Sequence, residues 1–73
     1  MELPAGWTLT EDGADLVLAS VVRRGDEYAV ECRRLDGQWS ATVTRVRERQ
    51  RHRMATVVRP DLPEAVNTVE HLF

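Results

Sequence analysis

Lysine is absent from this 73-residue sequence, and cysteine, aromatic residues and long apolar runs are scarce. The ten Lys-or-Arg positions are all arginine, a bias typical of a GC-rich genome that says nothing directly about function. The single cysteine, Cys32, excludes an internal disulfide and gives no argument for an oxidising compartment. The longest apolar run, Leu16 to Val22, is interrupted by Ser20 and is far too short for a membrane span. The N-terminus lacks the pattern of a signal peptide, so a cytoplasmic location is predicted.

The short length limits the hydrophobic core. A chain of this size forms one domain, residues 1–73, and buries only about 60% of the surface that its unfolded form exposes. Such domains often gain stability from a disulfide, a metal ion or a partner subunit. The spacing of Cys32, His52 and His71 matches no zinc pattern, and no metal or cofactor is predicted. Self-association, most simply as a homodimer, is the remaining candidate for such support.

Charge is distributed unevenly along the chain. Residues 1–38 contain four arginines and eight acidic residues, and residues 60–73 contain three acidic residues and no arginine. Between them, residues 39–59 contain six arginines and one acidic residue, Glu48. The sequence therefore encloses one basic segment between two acidic ones.

Turn signals divide the first half into short segments of strand character. Asp12-Gly13, Gly25-Asp26 and Asp36-Gly37 are flanked by residues such as Val, Thr, Trp and Tyr. Strands are predicted at about 7–11, 15–23, 28–35, 39–47 and 52–59. The predicted fold class is α+β, an antiparallel β-meander of four to five strands with one C-terminal helix packed on one face.

A consistent register places one set of apolar residues on one face. A turn at Asp36-Gly37 pairs Cys32 with Ala41 and Val30 with Val43, and a turn at Gly25-Asp26 pairs Val21 with Val30 and Ala19 with Cys32. The shared face then contains Val17, Ala19, Val21, Val30, Cys32, Trp39, Ala41 and Val43. A shift of one residue would scatter this set over both faces, so the pattern favours the meander.

The last segment predicts a helix over residues 62–73. Asp61 is an N-cap residue, Pro63 suits the first turn, and Glu64 follows the cap at the capping-box spacing. An apolar stripe follows at spacings of three and four, formed by Leu62, Ala65, Val66, Val69, Leu72 and Phe73. This stripe is predicted to cover the apolar face of the sheet; use of the helix for dimerisation is less favoured because the sheet would then be uncovered.

Residues 43–58 fit two structures. Arg, Glu, Gln, Met and Ala favour a helix, and Val43, Val46, Gln50, Met54 and Val57 have helical spacing. β-Branched residues at both ends of the segment favour a hairpin joined near Arg49. A turn of odd length there pairs Val43 with Ala55 and Ala41 with Val57. The hairpin is favoured because it extends the apolar face.

Five arginines alternate within the basic segment, and they are the candidate partner-binding residues: Arg45, Arg47, Arg49, Arg51 and Arg53. On one extended strand they would share a side, whereas in the hairpin they surround its tip. Guanidinium groups suit phosphates and carboxylates, so nucleic acid, an acidic protein surface or a second copy are all candidate partners. Internal ion pairs or a solvated surface are the structural alternatives. The acidic pI of about 5.6 and the lack of interleaved aromatic residues disfavour nucleic acid.

The other notable residues favour structural roles. Cys32, Trp7 and Trp39 are predicted to lie in the core. His71 is placed to interact with the last carbonyls of the helix. The second face of the sheet is a candidate dimer surface, since it contains Leu16, Leu18, Val22, Val46, Met54 and Val58 among polar residues.

The order of elements resembles a known family. Tyr28-Ala29-Val30-Glu31, Asp36-Gly37-Gln38-Trp39 and Asp61-Leu62-Pro63-Glu64-Ala65-Val66 are similar to the strand–turn–strand–strand–helix core of HicB-like antitoxins and to small prokaryotic proteins with a DGxW hairpin. The resemblance implies a non-enzymatic protein-interaction module of antitoxin or adaptor type. A nucleic-acid-binding protein is the alternative, and an enzyme is disfavoured because no acid/base or nucleophile constellation is visible.

Overall fold

In the computed structural model, which describes residues 2–73, five antiparallel strands form one sheet and a single helix packs on it. Sheet order follows chain order, as in a meander. The elements are β1 Trp7–Asp12, β2 Leu16–Arg23, β3 Asp26–Leu35, β4 Gln38–Arg47, β5 Gln50–Arg59 and α1 Leu62–Glu70. The predicted fold class is confirmed, although β3 and β5 begin two residues earlier than predicted and the helix ends at Glu70 instead of residue 73.

Two-residue turns set the register of the central strands. Asp36-Gly37 forms the β3–β4 turn with φ of 52° and 75°, and the pairs Cys32–Ala41 and Val30–Val43 are as predicted. The prediction for the β2–β3 turn was wrong. The turn is formed by Arg24-Gly25, with φ of 53° and 80°, because glycine takes the second central position of such a turn.

The corrected turn shifts the β2–β3 register by two residues. Val30 therefore pairs with Ala19 and not with Val21, and Cys32 pairs with Val17 and not with Ala19. A shift of two keeps every side chain on its predicted face, because strand side chains alternate with a period of two.

A hairpin, and not a helix, spans residues 43–58. The predicted pairs Val43–Ala55 and Ala41–Val57 are present, but the predicted turn of odd length is wrong. The turn is the two-residue Glu48-Arg49, and a β-bulge at Met54 supplies the extra residue in β5. The two-residue turn places residues 50–53 on the faces opposite to those that a turn of odd length would give, and the bulge returns Ala55 and Val57 to the face of the core.

The core lies between the sheet and the helix. Every member of the predicted apolar face is buried except Trp39, which is half-buried against the core. The helix contributes Ala65, Val66 and Val69, whereas Leu72 lies beyond the helix end and is 53% exposed, contrary to the predicted stripe. At the other end, the Asp61 carboxylate accepts the Glu64 backbone N–H at 2.9 Å, the predicted N-cap bond.

Arg23 and Glu70 fasten the N-terminal strands to the end of the helix. Arg23 Nη2 donates to both oxygens of the Glu70 carboxylate, at 2.7 Å to Oε2, and Trp7 Nε1 donates to Oε1 at 2.7 Å. The ring of Phe73 lies edge-on to Trp7, with centroids 6.4 Å apart, and 4.7 Å from the ring of Tyr28. We call these five residues the Arg23–Glu70 cluster. It joins β1, β2, β3 and the C-terminal residues through contacts that are distant in sequence.

Candidate functional site

The two-residue turn at Glu48-Arg49 separates the arginine run into two groups. Arg45 and Arg47 lie on the face of the sheet that the helix covers, because they alternate with the buried Val43. Arg51 and Arg53 lie on the opposite, open face, since they pair with Val46 and Thr44. With the predicted turn of odd length, all four would have shared the helix side.

The two groups are named from here on by their face. The helix-side group comprises Arg45 and Arg47 with their pairing partners His52 and Gln50. The open-face group comprises Arg51 and Arg53. Arg49 belongs to the turn between them.

Internal ion pairs account for one of the five arginines. Arg47 Nη2 donates to Asp26 Oδ1 at 3.3 Å. Within residues 2–73, Arg45, Arg49, Arg51 and Arg53 have no carboxylate within ion-pairing distance. The Nε of Arg45 is buried and has no hydrogen-bond partner in this part of the chain. Pairing within the chain therefore does not account for the arginine run.

An apolar patch adjoins the helix-side group. Met54 and Leu72 are 55% and 53% exposed, and they line one shallow cavity of about 170 Å³ with Val43, Ala55 and Phe73. Arg45 is the next residue after Val43 on the same face of β4. The sequence placed Met54 on the second face of the sheet; the bulge instead directs it toward the end of the helix.

The meander also collects charge at the two ends of the molecule. One end contains the turns of residues 23–27 and the hairpin tip of residues 45–53, with seven arginines and three acidic residues. The other end contains residues 11–15, 33–37 and 59–64, with three arginines and six acidic residues. Alternate turns of a meander lie at the same end, so charges that are dispersed in sequence become neighbours. This separation of basic and acidic ends is not apparent in the sequence, because acidic residues predominate near both termini of the chain.

The other residues considered in the sequence take structural positions. Cys32 is 2% exposed, and burial, with the nearby Glu31 charge, raises the pKa of its thiol to about 11. The ring Nδ1 of His71 lies 2.8 Å from the Asn67 carbonyl oxygen, as predicted for a residue at the helix end. Over residues 2–73, no group of three or more His, Cys, Asp or Glu side chains has the arrangement of a metal site. The helix described over this range is too short to cross a membrane.

No pattern in the sequence indicates the Arg23–Glu70 cluster. Arg23 and Glu70 are 47 residues apart, and their contact depends on the direction in which the helix crosses the sheet. The hydrogen bonds from Arg23, followed by the bond from Trp7, hold the pKa of the Glu70 carboxyl below its usual value despite partial burial. Arg24 was also missed; it joins the basic end only because the β2–β3 turn lies beside the β4–β5 turn.

Comparisons of the chain with protein-family models, curated proteins and solved structures give no match. The resemblance to HicB-like antitoxins stays a prediction.

Proposed function

We propose that this chain is a non-enzymatic protein-interaction module of the cytoplasm, antitoxin- or adaptor-like, whose β4–β5 hairpin binds an acidic and partly apolar segment of another protein. The observation that most supports this proposal is the position of Arg45, which lies between the basic tip and the exposed Met54 and Leu72. Interfaces between proteins combine apolar centres with arginine and a polar rim.

The unpaired guanidinium groups favour an anionic ligand. An arginine offers a planar fork that matches a carboxylate, and such charge-assisted bonds are stronger than neutral ones. The patch of Met54 and Leu72 favours a ligand that also has apolar side chains. A bare phosphate backbone would leave that patch exposed, and Asp26, Glu27 and Glu48 at the same end would repel it.

A nucleic-acid interface is the second candidate, and one observation supports it. The β4–β5 hairpin has arginines on both of its faces, and the major groove of duplex DNA admits such a two-stranded ribbon. Arginines on both faces would then be near phosphates on both walls of the groove.

Two matched peptides and a DNA duplex test these alternatives. One fluorescent peptide alternates Glu and Leu, and the other has the same length and charge but alternates Glu and Ser. We expect the Glu-Leu peptide to bind more tightly in fluorescence anisotropy, because only it covers the apolar patch. The double variant Met54→Ser, Leu72→Ser should remove this difference and keep the part of the affinity that both peptides share.

Two triple variants with the same change in net charge test the hairpin itself. Arg45→Ala, Arg47→Ala, Arg49→Ala should weaken binding of the Glu-Leu peptide at least about tenfold, if each of the three charge pairs with the peptide contributes up to about 1 kcal/mol. The control is Arg33→Ala, Arg34→Ala, Arg59→Ala at the acidic end, which should have little effect. Equal losses in both variants would contradict a site at the hairpin. Tighter binding of duplex DNA, with affinity falling steeply as salt rises, would favour the second candidate.

A further inference from the structure

The open face of the sheet has a second charge pattern, formed by three neighbouring strands. Row by row, Glu27 pairs with Val46, which pairs with Arg51, and Ala29 pairs with Thr44, which pairs with Arg53. The next row contains Glu31, Thr42 and Thr56. At this end of the sheet β3 therefore presents carboxylates, β5 presents guanidinium groups, and β4 between them presents uncharged side chains. Glu27 has no ion pair within residues 2–73, whereas Glu31 also accepts from Arg33 Nε at 3.0 Å in an exposed pair.

This arrangement is complementary to itself. A two-fold axis along β4 exchanges β3 of one molecule with β5 of another when their open faces meet. The acidic column of each copy, Glu27 and Glu31 on β3, then lies opposite the basic column of the other, Arg51 and Arg53 on β5. Uncharged residues of β4 meet on the axis. Interfaces with two-fold symmetry require this kind of self-complementary surface.

The dimensions of the face suit such packing. Stacked sheets lie about 10 Å apart, a gap that an arginine and a glutamate side chain bridge together. Thr42 and Thr44 are short, so they permit close approach on the axis. Glu31, Thr42, Thr44, Arg51 and Arg53 line one shallow concavity of about 500 Å³. Val58, 48% exposed on this same face of β5, would gain cover.

We propose that two copies of this chain associate open face to open face about β4, with Arg51 and Arg53 of each copy against Glu27 and Glu31 of the other. The occupant of this face is a second copy because a partner of one charge sign would match only one of the two columns. The interface uses the open-face group, whereas the proposed partner site uses the helix-side group. The dimer and the partner site can therefore fail independently.

Charge reversal with complementation tests the dimer by sedimentation velocity. At low salt we expect the wild-type chain to reach twice its 8.3 kDa mass as concentration rises, and to dissociate as salt screens the pairs. Arg51→Glu, Arg53→Glu alone should raise the dissociation constant at least tenfold, since like charges then face each other. Glu27→Arg, Glu31→Arg alone should do the same. An equimolar mixture of these two variants should dimerise again, because every column then faces its opposite.

A control separates specific pairing from attraction between oppositely charged proteins. Arg34→Glu, Arg59→Glu, at two positions that pair with Trp39 on the helix side of the sheet, has the same net charge as Arg51→Glu, Arg53→Glu. Its mixture with Glu27→Arg, Glu31→Arg should not restore the dimer. Restoration by this control would overturn the proposed interface. A wild-type chain that stays monomeric at low salt and high concentration, or an Arg51→Glu, Arg53→Glu variant that dimerises like wild type, would also overturn it. Circular dichroism confirms that each variant is folded.

Discussion

Arg23 and the hairpin arginines occupy opposite kinds of environment within one small sheet. Arg23 donates to both Glu70 oxygens and to the Val22 carbonyl, and its guanidinium lies 5.8 Å from the centroid of the Phe73 ring. Its side chain is 25% exposed. Arg49, Arg51 and Arg53, in contrast, are exposed side chains without an ion pair in residues 2–73. One arginine is satisfied inside the molecule, and several are available to ligands outside it.

This contrast teaches that arginine content does not by itself indicate a binding site. An arginine whose donors are used internally stabilises the fold, and its loss leaves a carboxylate without its partner. An exposed arginine near others of the same sign contributes little to stability, and their mutual repulsion decreases when an anion binds. Substitutions in the two environments should therefore affect different measurements, stability in one case and binding in the other.

The largest effect on stability is expected for Gly6→Ala. Gly6 has φ of +85°, and a Cβ there would overlap Nη1 of Arg23. We expect a loss of about 3 kcal/mol, of which about 1 reflects the backbone conformation and about 2 the displaced hydrogen bonds of Arg23. Urea unfolding followed by circular dichroism measures it.

Gly25→Ala is the matched control for this substitution. Gly25 has nearly the same φ, +80°, but a Cβ there meets no atom within 4 Å. It should lose only the backbone contribution of about 1 kcal/mol. Equal losses at the two glycines would show that Arg23 does not require the space at Gly6.

Glu70→Ala should have the next largest effect. It removes the acceptor of both Arg23 and Trp7, and hydrogen bonds to charged groups contribute about 2 kcal/mol. Glu64→Ala, an exposed glutamate on the same helix, should cost no more than about 0.5 kcal/mol. Similar costs for the two variants in urea unfolding would contradict a special contribution from the Arg23–Glu70 cluster.

The same carboxylate predicts a smaller, pH-dependent effect. Because folding lowers the pKa of Glu70, its ionised form adds stability above its unfolded value of about 4.3, and this contribution disappears as the pH falls through the folded value. The stability difference between wild type and Glu70→Gln should therefore be largest near about pH 7 and shrink toward about pH 3. A difference that does not change with pH in urea unfolding would contradict this origin.

The sequence predicted the fold better than it predicted the site, for identifiable reasons. The Asp36-Gly37 signal set the β3–β4 register because the turn and the apolar face agreed. The β4–β5 pairs near the core were predicted for the wrong reason. A turn of odd length and an even turn with a bulge give the same pairs at Val43. They differ in where Arg51 and Arg53 lie, which is the helix side in the first case and the open face in the second. Apolar patterning does not distinguish these alternatives, because the residues nearest the turn are polar.

The smallest change in stability is expected for Arg45→Met. This variant tests whether Arg45 belongs with Arg23, which stabilises the fold, or with the arginines that are available to a ligand. The buried Nε of Arg45 has no partner in residues 2–73, so the folded state gains no hydrogen bond at that nitrogen in return for its desolvation. Methionine retains an unbranched apolar stem and removes the polar atoms. We expect the free energy of unfolding to stay unchanged or to rise by up to about 1 kcal/mol.

Binding should respond in the opposite direction in the same variant. If Arg45 is retained for a ligand, Arg45→Met should weaken binding of the Glu-Leu peptide several-fold while stability is unchanged or increased. Arg59→Met is the control, since Arg59 lies at the acidic end and its Nη1 donates to the Val58 carbonyl at 2.7 Å; it should leave peptide binding intact. A loss of more than about 1 kcal/mol of stability in Arg45→Met would instead place Arg45 with Arg23 among the structural arginines. Arg45 would then contribute to the stability of the fold, and its lack of a hydrogen-bond partner at Nε would not indicate a ligand-binding role.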